Sequence, residues 1–154
     1  MEKLDSVDLK ILSLLQQNAR YTLKDIAKEV ELSTPAVSSR LEKLESSNII
    51  KGYTALINYS TLGLNINAIV SVDVIPGTKQ EFIEFLKQQK CILSLDWVTG
   101  KYSAVVKGVF ADIEALNQFN NSLSERFGSS VVQVILNRHC KHCNAIRFLD
   151  YFKY

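Results

Sequence analysis

Apolar residues recur at helical spacing three times in the first third of the chain. Val7, Ile11, Leu14 and Leu15 form the first set, Leu23, Ile26, Ala27 and Val30 the second, and Val37, Leu41 and Leu44 the third. Each spacing lays its apolar members along one face of a helix. Polar residues stand where such helices begin: Asp5 with Asp8 three positions on, Thr22 with Asp25, and Ser33 before the third set. These are N-cap and capping-box patterns, which satisfy the amides that open a helix. Only Glu31-Leu32-Ser33 separates the second set from the third. Helices joined by so short a turn cross steeply, which predicts a helix-turn-helix. Glu31 stands where a left-handed residue closes the turn most easily, at about 1 kcal/mol for a residue with a side chain. The run Ile49 to Ile57, rich in β-branched and aromatic residues, predicts a strand, placed as a wing would be.

The pattern then changes period. Ile66, Ala68, Val70, Val72 and Val74 alternate with polar residues up to Pro76-Gly77 and predict a half-buried strand. Thr78 and Glu81 form a capping-box pattern before a helix whose buried stripe is Phe82, Phe85 and Leu86. Ile92 to Val98 and Tyr102 to Phe110 predict two strands joined at Gly100-Lys101. Asp112 caps a helix carrying Ile113, Leu116, Phe119, Asn120 and Leu123 on one side, Gly128 stops it, and Val131 to Leu136 predicts a fourth strand. The order β-α-β-β-α-β is the ferredoxin-like split pattern. Ile146, Phe148, Tyr151, Phe152 and Tyr154 are expected in an added edge strand or as packing and dimer-surface residues. The expected class is therefore α+β: a winged helix-turn-helix over residues 1–57, a connection at 58–64, and a ferredoxin-like domain over 65–154.

Composition narrows the picture little. At 154 residues and 47% apolar, the chain can bury cores, and its apolar runs are far shorter than a membrane span. The charged start, MEKLDSVDLK, lacks the apolar region of a secretory signal. Three cysteines, an odd number, fit a reducing cytoplasm better than a disulfide scaffold. Residues 1–57 hold eight basic and eight acidic side chains, so their net charge is zero. Any grip on nucleic acid must then come from local basic patches, multiplied by oligomerisation.

The chemistry lies on the third predicted helix. Opposite Val37, Leu41 and Leu44 stand Pro35, Ser39, Lys43 and Ser46, with Ser38 and Arg40 on the flanks. Such short or basic side chains let a phosphate backbone approach closely, and Ser33 places a helix N-terminus where phosphates and base edges are met. An ordinary solvated helical hairpin is the plainer alternative. A second cluster is His139-Cys140-Lys141-His142-Cys143. Cys140 and Cys143 have the spacing that brings two thiolates to one zinc ion, with Cys91, His139 or His142 as further ligands. Two surface thiols without metal are the commoner outcome of that spacing, and a metal sensor and a redox switch are the remaining ones. The chain has no G-x-S-x-G, Gly-rich phosphate loop or H-E-x-x-H, so no enzyme is expected.

Taken together, LDSVDLKILSLLQQNAR, DIAKEVELS, VSSRLEKLE, IIKGYTALIN and VTGKYSAVV resemble the Lrp/AsnC (leucine-responsive) transcription regulators, from Leu4 to about Phe152. The resemblance implies a cytoplasmic regulator that binds double-stranded DNA as homodimers, often octamers, and needs no cofactor. It also implies a small effector, such as an amino acid, bound in the second domain. On that basis Thr34, Pro35, Ser38, Ser39, Arg40 and Lys43 match the recognition helix and Lys51 the wing. Arg40 lies beside the apolar face and has an internal carboxylate as its alternative partner. Thr99, Gly100, Lys101, Tyr102 and Ser103, with Asp96, match the effector loop. Ser103 stands where the family usually has Asp, and a hydroxyl would pair an ammonium group far more weakly than a carboxylate. Some tetrapyrrole-decarboxylating enzymes resemble the same family. In that alternative His139 with Arg138 or Arg147 would face the tetrapyrrole.

Overall fold

The computed structural model describes residues 4–136, which form two compact units that divide between Leu56 and Ile57. Arg138, His139, Cys140, Lys141, His142, Cys143 and Arg147, and the aromatic residues after them, lie outside the described residues. Among the described residues no helix is long and apolar enough to cross a membrane.

The first unit holds three helices, α1 (Ser6–Gln17), α2 (Leu23–Val30) and α3 (Thr34–Ser46). The capping box expected at Thr22 and Asp25 forms, and Asp5, expected as a cap with Asp8 favouring the helix dipole, makes a full capping box with Asp8 at the start of α1. Ser33 caps α3, and Pro35 follows in its first turn, where a missing amide costs nothing. Glu31 takes the left-handed conformation (φ 56°, ψ 40°) that the tight turn requires, and its amide and that of Leu32 both close on the Ala27 carbonyl. The Lys10 ammonium donates to the Glu29 carbonyl near the same helix end, where a cation suits the helix dipole. Ile11, Ile26, Ala27, Val30, Val37 and Leu44 form the core, with Leu14, Leu15, Leu41 and Ile50 packed around it. Leu23, expected on the buried face, is 37% exposed, because it opens α2 at the rim of the unit.

The wing strand expected over 49–57 does not form. Asn48, just past the C-cap of α3, takes the left-handed conformation (φ 58°), and the Ile49 and Ile50 amides both fold back onto the Leu44 carbonyl, 3.0 Å each. Ile50 thereby tucks into the core, and residues 51–58 run exposed without a ladder partner. β-branched residues favour a strand only where a neighbour accepts their backbone. Among the described residues no second strand stands there.

The second unit begins with a short 3₁₀ turn, Tyr59–Leu62, and contains β1 (Ile66–Val72), α4 (Lys79–Gln88), β2 (Ile92–Trp97), β3 (Ala104–Phe110), α5 (Ile113–Phe127) and β4 (Ser130–Val134). The sheet is antiparallel in the order β2-β3-β1-β4, with Val70 opposite Val106 on one side and Val132 on the other. This is the expected ferredoxin-like arrangement. Both helices cover one face: Ala68, Val70, Val72, Ala104 and Val106 meet Phe82, Leu86, Leu116, Phe119, Leu123 and Phe127 in a single core. Phe82 makes edge-on contacts with Trp97 and Phe127 at centroid distances of 6.0 and 5.3 Å.

Two sequence expectations fail here for local reasons. Thr78 does not cap α4: its hydroxyl and its amide both return to the Ile75 carbonyl, at 2.9 and 3.1 Å. Ile113, expected on the buried side of α5, is 50% exposed at the first turn, beyond the sheet's cover. Asp112 does cap α5, accepting from the Ala115 amide at 2.8 Å.

Candidate DNA-binding helix and effector loop

Helix α3 sorts its side chains by face. Val37 and Leu44 are fully buried, whereas Thr34, Pro35, Ser39, Lys43 and Ser46 are exposed together on the opposite side. The face is not purely basic, since Glu42 and Glu45 share the helix surface. Ser38 donates to the Glu42 carboxylate at 3.2 Å, so its hydroxyl is already engaged. Ser46 turns back onto the Lys43 carbonyl at 3.1 Å. Lys51 is exposed in the segment after α3, on no strand.

Arg40, expected among the DNA-binding residues, is instead held internally. Its Nη1 donates to Asp5 Oδ2 at 2.7 Å and to Asp8 Oδ1 at 2.6 Å. The same two carboxylates form the α1 capping box through their other oxygens, with Asp5 Oδ1 accepting the Val7 and Asp8 amides and Asp8 Oδ2 accepting the Asp5 amide. The Asp8 side chain is only 7% exposed. A carboxylate so far from water, stripped of its cation, costs more than an unsatisfied neutral group would. In this structure Arg40 is paired with Asp5 and Asp8. The Asp8 amide and then Arg40 hold the Asp5 carboxyl below its ordinary value of 3.8, and the two carboxylates raise the guanidinium further. The Thr22 hydroxyl and amide likewise lower Asp25. A carboxyl held low when folded stabilises above its unfolded value and ceases to do so as pH falls through the folded one. The first unit is therefore expected to lose helicity by circular dichroism only below pH about 4, and Asp5→Asn to make that loss shallower.

The reading of 49–57 as a strand missed the bond from the Tyr53 hydroxyl to Glu45 Oε1, 2.7 Å, which fastens the segment after α3 to the end of that helix. The signal available was Tyr53 itself, an apolar ring with a polar tip that seeks a partner when half covered. Burial first, and then the Glu45 carboxylate, push its phenol from 10.0 up to about 12. The folded protein holds this proton more tightly than the unfolded chain, so the stabilisation is complete below pH about 10 and lost on approach to about 12. In an alkaline titration followed by circular dichroism, Tyr53→Phe should remove that part of the loss of helix.

In the second unit, β2 and β3 are joined through residues 98–103. The Val98 amide donates to the Ser103 carbonyl at 2.9 Å, and Gly100 turns the chain at φ 115°, a conformation that disfavours a side chain. Thr99, Gly100 and Lys101 are exposed, and the Lys101 ammonium lies 5.4 Å from the Tyr102 ring centroid. Five of the six expected effector residues thus share one loop. Asp96 stands on β2 and pairs with Lys107 of β3 at 3.4 Å. Ser103 is committed to the fold: its hydroxyl accepts the Val74 amide at 3.0 Å and its own amide donates to the Val72 carbonyl at 3.0 Å. Cys91 is half-buried, and burial pushes its thiol above the ordinary value. Among the described residues no three His, Cys, Asp or Glu side chains are grouped to hold a metal ion, and the Cys140/Cys143 cluster with His139 and His142 lies outside them.

Comparison with known proteins matches these two units separately and in this order. The AsnC-type helix-turn-helix domain matches residues 4–45, and the Lrp/AsnC ligand binding domain matches residues 67–144. The HTH-type transcriptional regulator Ptr1 of Methanocaldococcus jannaschii is 37% identical over 75% of this chain and 78% of its own. An HTH-type regulator of Bacillus subtilis, YezC, is 32% identical over 90% of this chain and 98% of its own. Among solved structures, LrpC of B. subtilis superposes with a TM-score of 0.85 at 28% identity, covering 91% of this chain and 99% of that one. A transcriptional regulator of Neisseria meningitidis in complex with L-Met superposes with a TM-score of 0.82 at 26% identity, covering 89% and 92%. With both domain families matched in order along the chain and a regulator 37% identical over three quarters of it, this chain belongs to the Lrp/AsnC family, a DNA-binding transcription regulator with a ligand-binding domain.

Proposed function

We propose that the chain recognises a specific operator through α3 and is modulated by a small effector, an amino acid or a related small molecule, at the 98–103 loop. The DNA contacts are Thr34, Pro35, Ser38, Ser39 and Lys43, with Lys51 after the helix. Hydroxyls and the Pro35 ring admit the backbone closely, and the lysines supply phosphate contacts. The observation that carries this reading is the division of α3, with Val37 and Leu44 sealed in the core and Ser39 and Lys43 exposed together on the far side. For the effector, Thr99, Gly100, Lys101 and Tyr102 offer a hydroxyl, an open backbone, a cation and a ring within one loop. Asp96 can add a carboxylate if it leaves Lys107. Ser103, spent on Val74, contributes shape only. The L-Met complex of the meningococcal regulator supports an amino-acid effector here. The protein works in the cytoplasm as a homodimer, with octamers as its larger assembly, through a DNA-binding domain over 1–57, a connection at 58–64 and a sensing domain over 65–154. It needs no cofactor and acts as a regulator, not an enzyme.

Fluorescence anisotropy against duplex DNA from upstream of its own gene, titrated with salt, tests this. The expected result is tighter binding than to scrambled DNA, a steep salt dependence, and a shift with at least one amino acid in a panel that also includes Zn²⁺. Equal binding to both duplexes under every condition would refute operator recognition and turn attention to a tetrapyrrole absorbance band.

A further inference from the structure

We infer that Arg40 is a positioning residue for operator recognition, acting through Asp5 and Asp8 of α1 and not by touching DNA. This rests on the reading of α3 as the recognition helix. Arg40 sits on α3 directly beside Ser39 and one turn before Lys43, so a guanidinium reaching for DNA is the obvious expectation. The geometry spends it elsewhere. One nitrogen, Nη1, bridges both carboxylates at 2.7 and 2.6 Å, across 35 and 32 residues of sequence. Each carboxylate is in turn fixed by backbone amides of the α1 capping box, so the anchor is rigid on the α1 side. The Asp8 side chain is 7% exposed against 31% for Arg40. A guanidinium that left for a phosphate would strand a desolvated carboxylate, which opposes that exchange. Val37, Leu41 and Leu44 hold α3 to the core by apolar packing, and such packing tolerates small rotations. The directional bridge fixes the rotation of α3 about its axis and hence where Ser39 and Lys43 point. Specificity depends on that aim, because base contacts need angular accuracy while phosphate contacts tolerate error.

The test is anisotropy with the full chain on operator and scrambled duplexes across a salt series, with helix content read by circular dichroism on the same samples. Arg40→Gln is expected to lower the operator-over-scrambled ratio about tenfold and leave the salt slope unchanged. Arg40→Lys, which retains a nitrogen able to donate to both carboxylates, is expected to restore the ratio. Arg40→Gln/Asp8→Asn is expected to lose no more preference than Arg40→Gln alone. A slope flattened by about 0.9 in Arg40→Gln would mark a direct phosphate contact and overturn the inference, as would additive losses in the double variant. If Arg40→Gln loses its helical signal, Arg40→Lys decides. Restored preference supports positioning, whereas lost preference with intact helices marks the guanidinium as a base reader and overturns it. Preference that survives intact in a folded Arg40→Gln overturns the positioning role alone. Absence of preference in the wild-type protein removes the recognition-helix reading and this role with it.

Discussion

Replacing Ser39 and Lys43 together by alanine is expected to weaken operator binding by at least about tenfold per protomer while leaving both units folded. Both side chains are exposed on the polar face of α3, and neither contributes to the core of Ile11, Ile26, Val37 and Leu44. Loss of a phosphate-contacting lysine weakens binding to all sequences and reduces the salt slope by about 1. Loss of a serine that reads a base edge or positions the backbone lowers preference for the operator without changing that slope. The two single variants therefore separate: Lys43→Ala should act on the slope and Ser39→Ala on the ratio. Because the first 57 residues carry no net charge, little long-range attraction remains to mask either loss. Intact operator affinity in a folded double variant would refute the assignment of α3 to DNA.

The largest effect on stability is expected from Gly128→Ala. Gly128 ends α5 at φ 121°, and a Cβ added there would lie 2.2 Å from the Asp73 carbonyl oxygen. That oxygen belongs to backbone that cannot swing aside, because the Asp73 amide donates to the Ser129 carbonyl and the Ile75 amide to the Phe127 carbonyl, both at 2.8 Å. Relief would require prising the end of β1 from the turn into β4. An unfavourable backbone conformation costs about 1–3 kcal/mol and an overpacked contact about 1–3 kcal/mol more. A loss of about 2–6 kcal/mol follows for the second unit, measured by denaturant unfolding with Trp97 fluorescence as the probe. A change below about 0.5 kcal/mol, the range of ordinary surface substitutions, would show that the turn is looser than its contacts imply. Gly100→Ala gives the contrast: its φ is 115° but its Cβ would meet nothing within 4 Å, so only the backbone penalty applies.

What the sequence made legible was short in range. Asp5 with Asp8, Thr22 with Asp25, Ser33 and Asp112 all cap as their spacing predicts, because a cap involves residues within one turn. The alternation through β1 and the stripe Phe82, Leu86 identified the face on which the core forms. Misreadings arose where a distant or competing partner decided the matter. Thr78 had the right neighbours for a cap, but the Ile75 carbonyl took its hydroxyl. Ile49 to Ile57 had strand composition, but their first amides were claimed by Leu44. Leu23 and Ile113 had the right period and the wrong place, at a first turn beyond the cover of the core. At the candidate DNA face, position on the helix was legible and engagement was not: Arg40 and Ser38 already have acidic partners. At the effector loop the five contiguous residues were legible as a group, while Ser103's bond to Val74 depends on a residue 29 positions away.

The strand order β2-β3-β1-β4 also dictates how this chain must be made. The helical unit closes through contacts that are mostly local, and such topologies fold quickly. In the second unit, β1 is an interior strand whose partners lie far downstream: β3 ends at Phe110 and β4 at Val134. During synthesis one edge of β1 gains its neighbour well before the other. At about 5–20 residues per second the edge meant for β4 stands open for about 1–5 s after β3 has emerged, presenting unpaired backbone along Ala68 to Val72. An open edge of that kind recruits other strands. Expression at lower temperature or with a chaperone that shields β edges should therefore raise the yield of native protein more than any change to the helical unit.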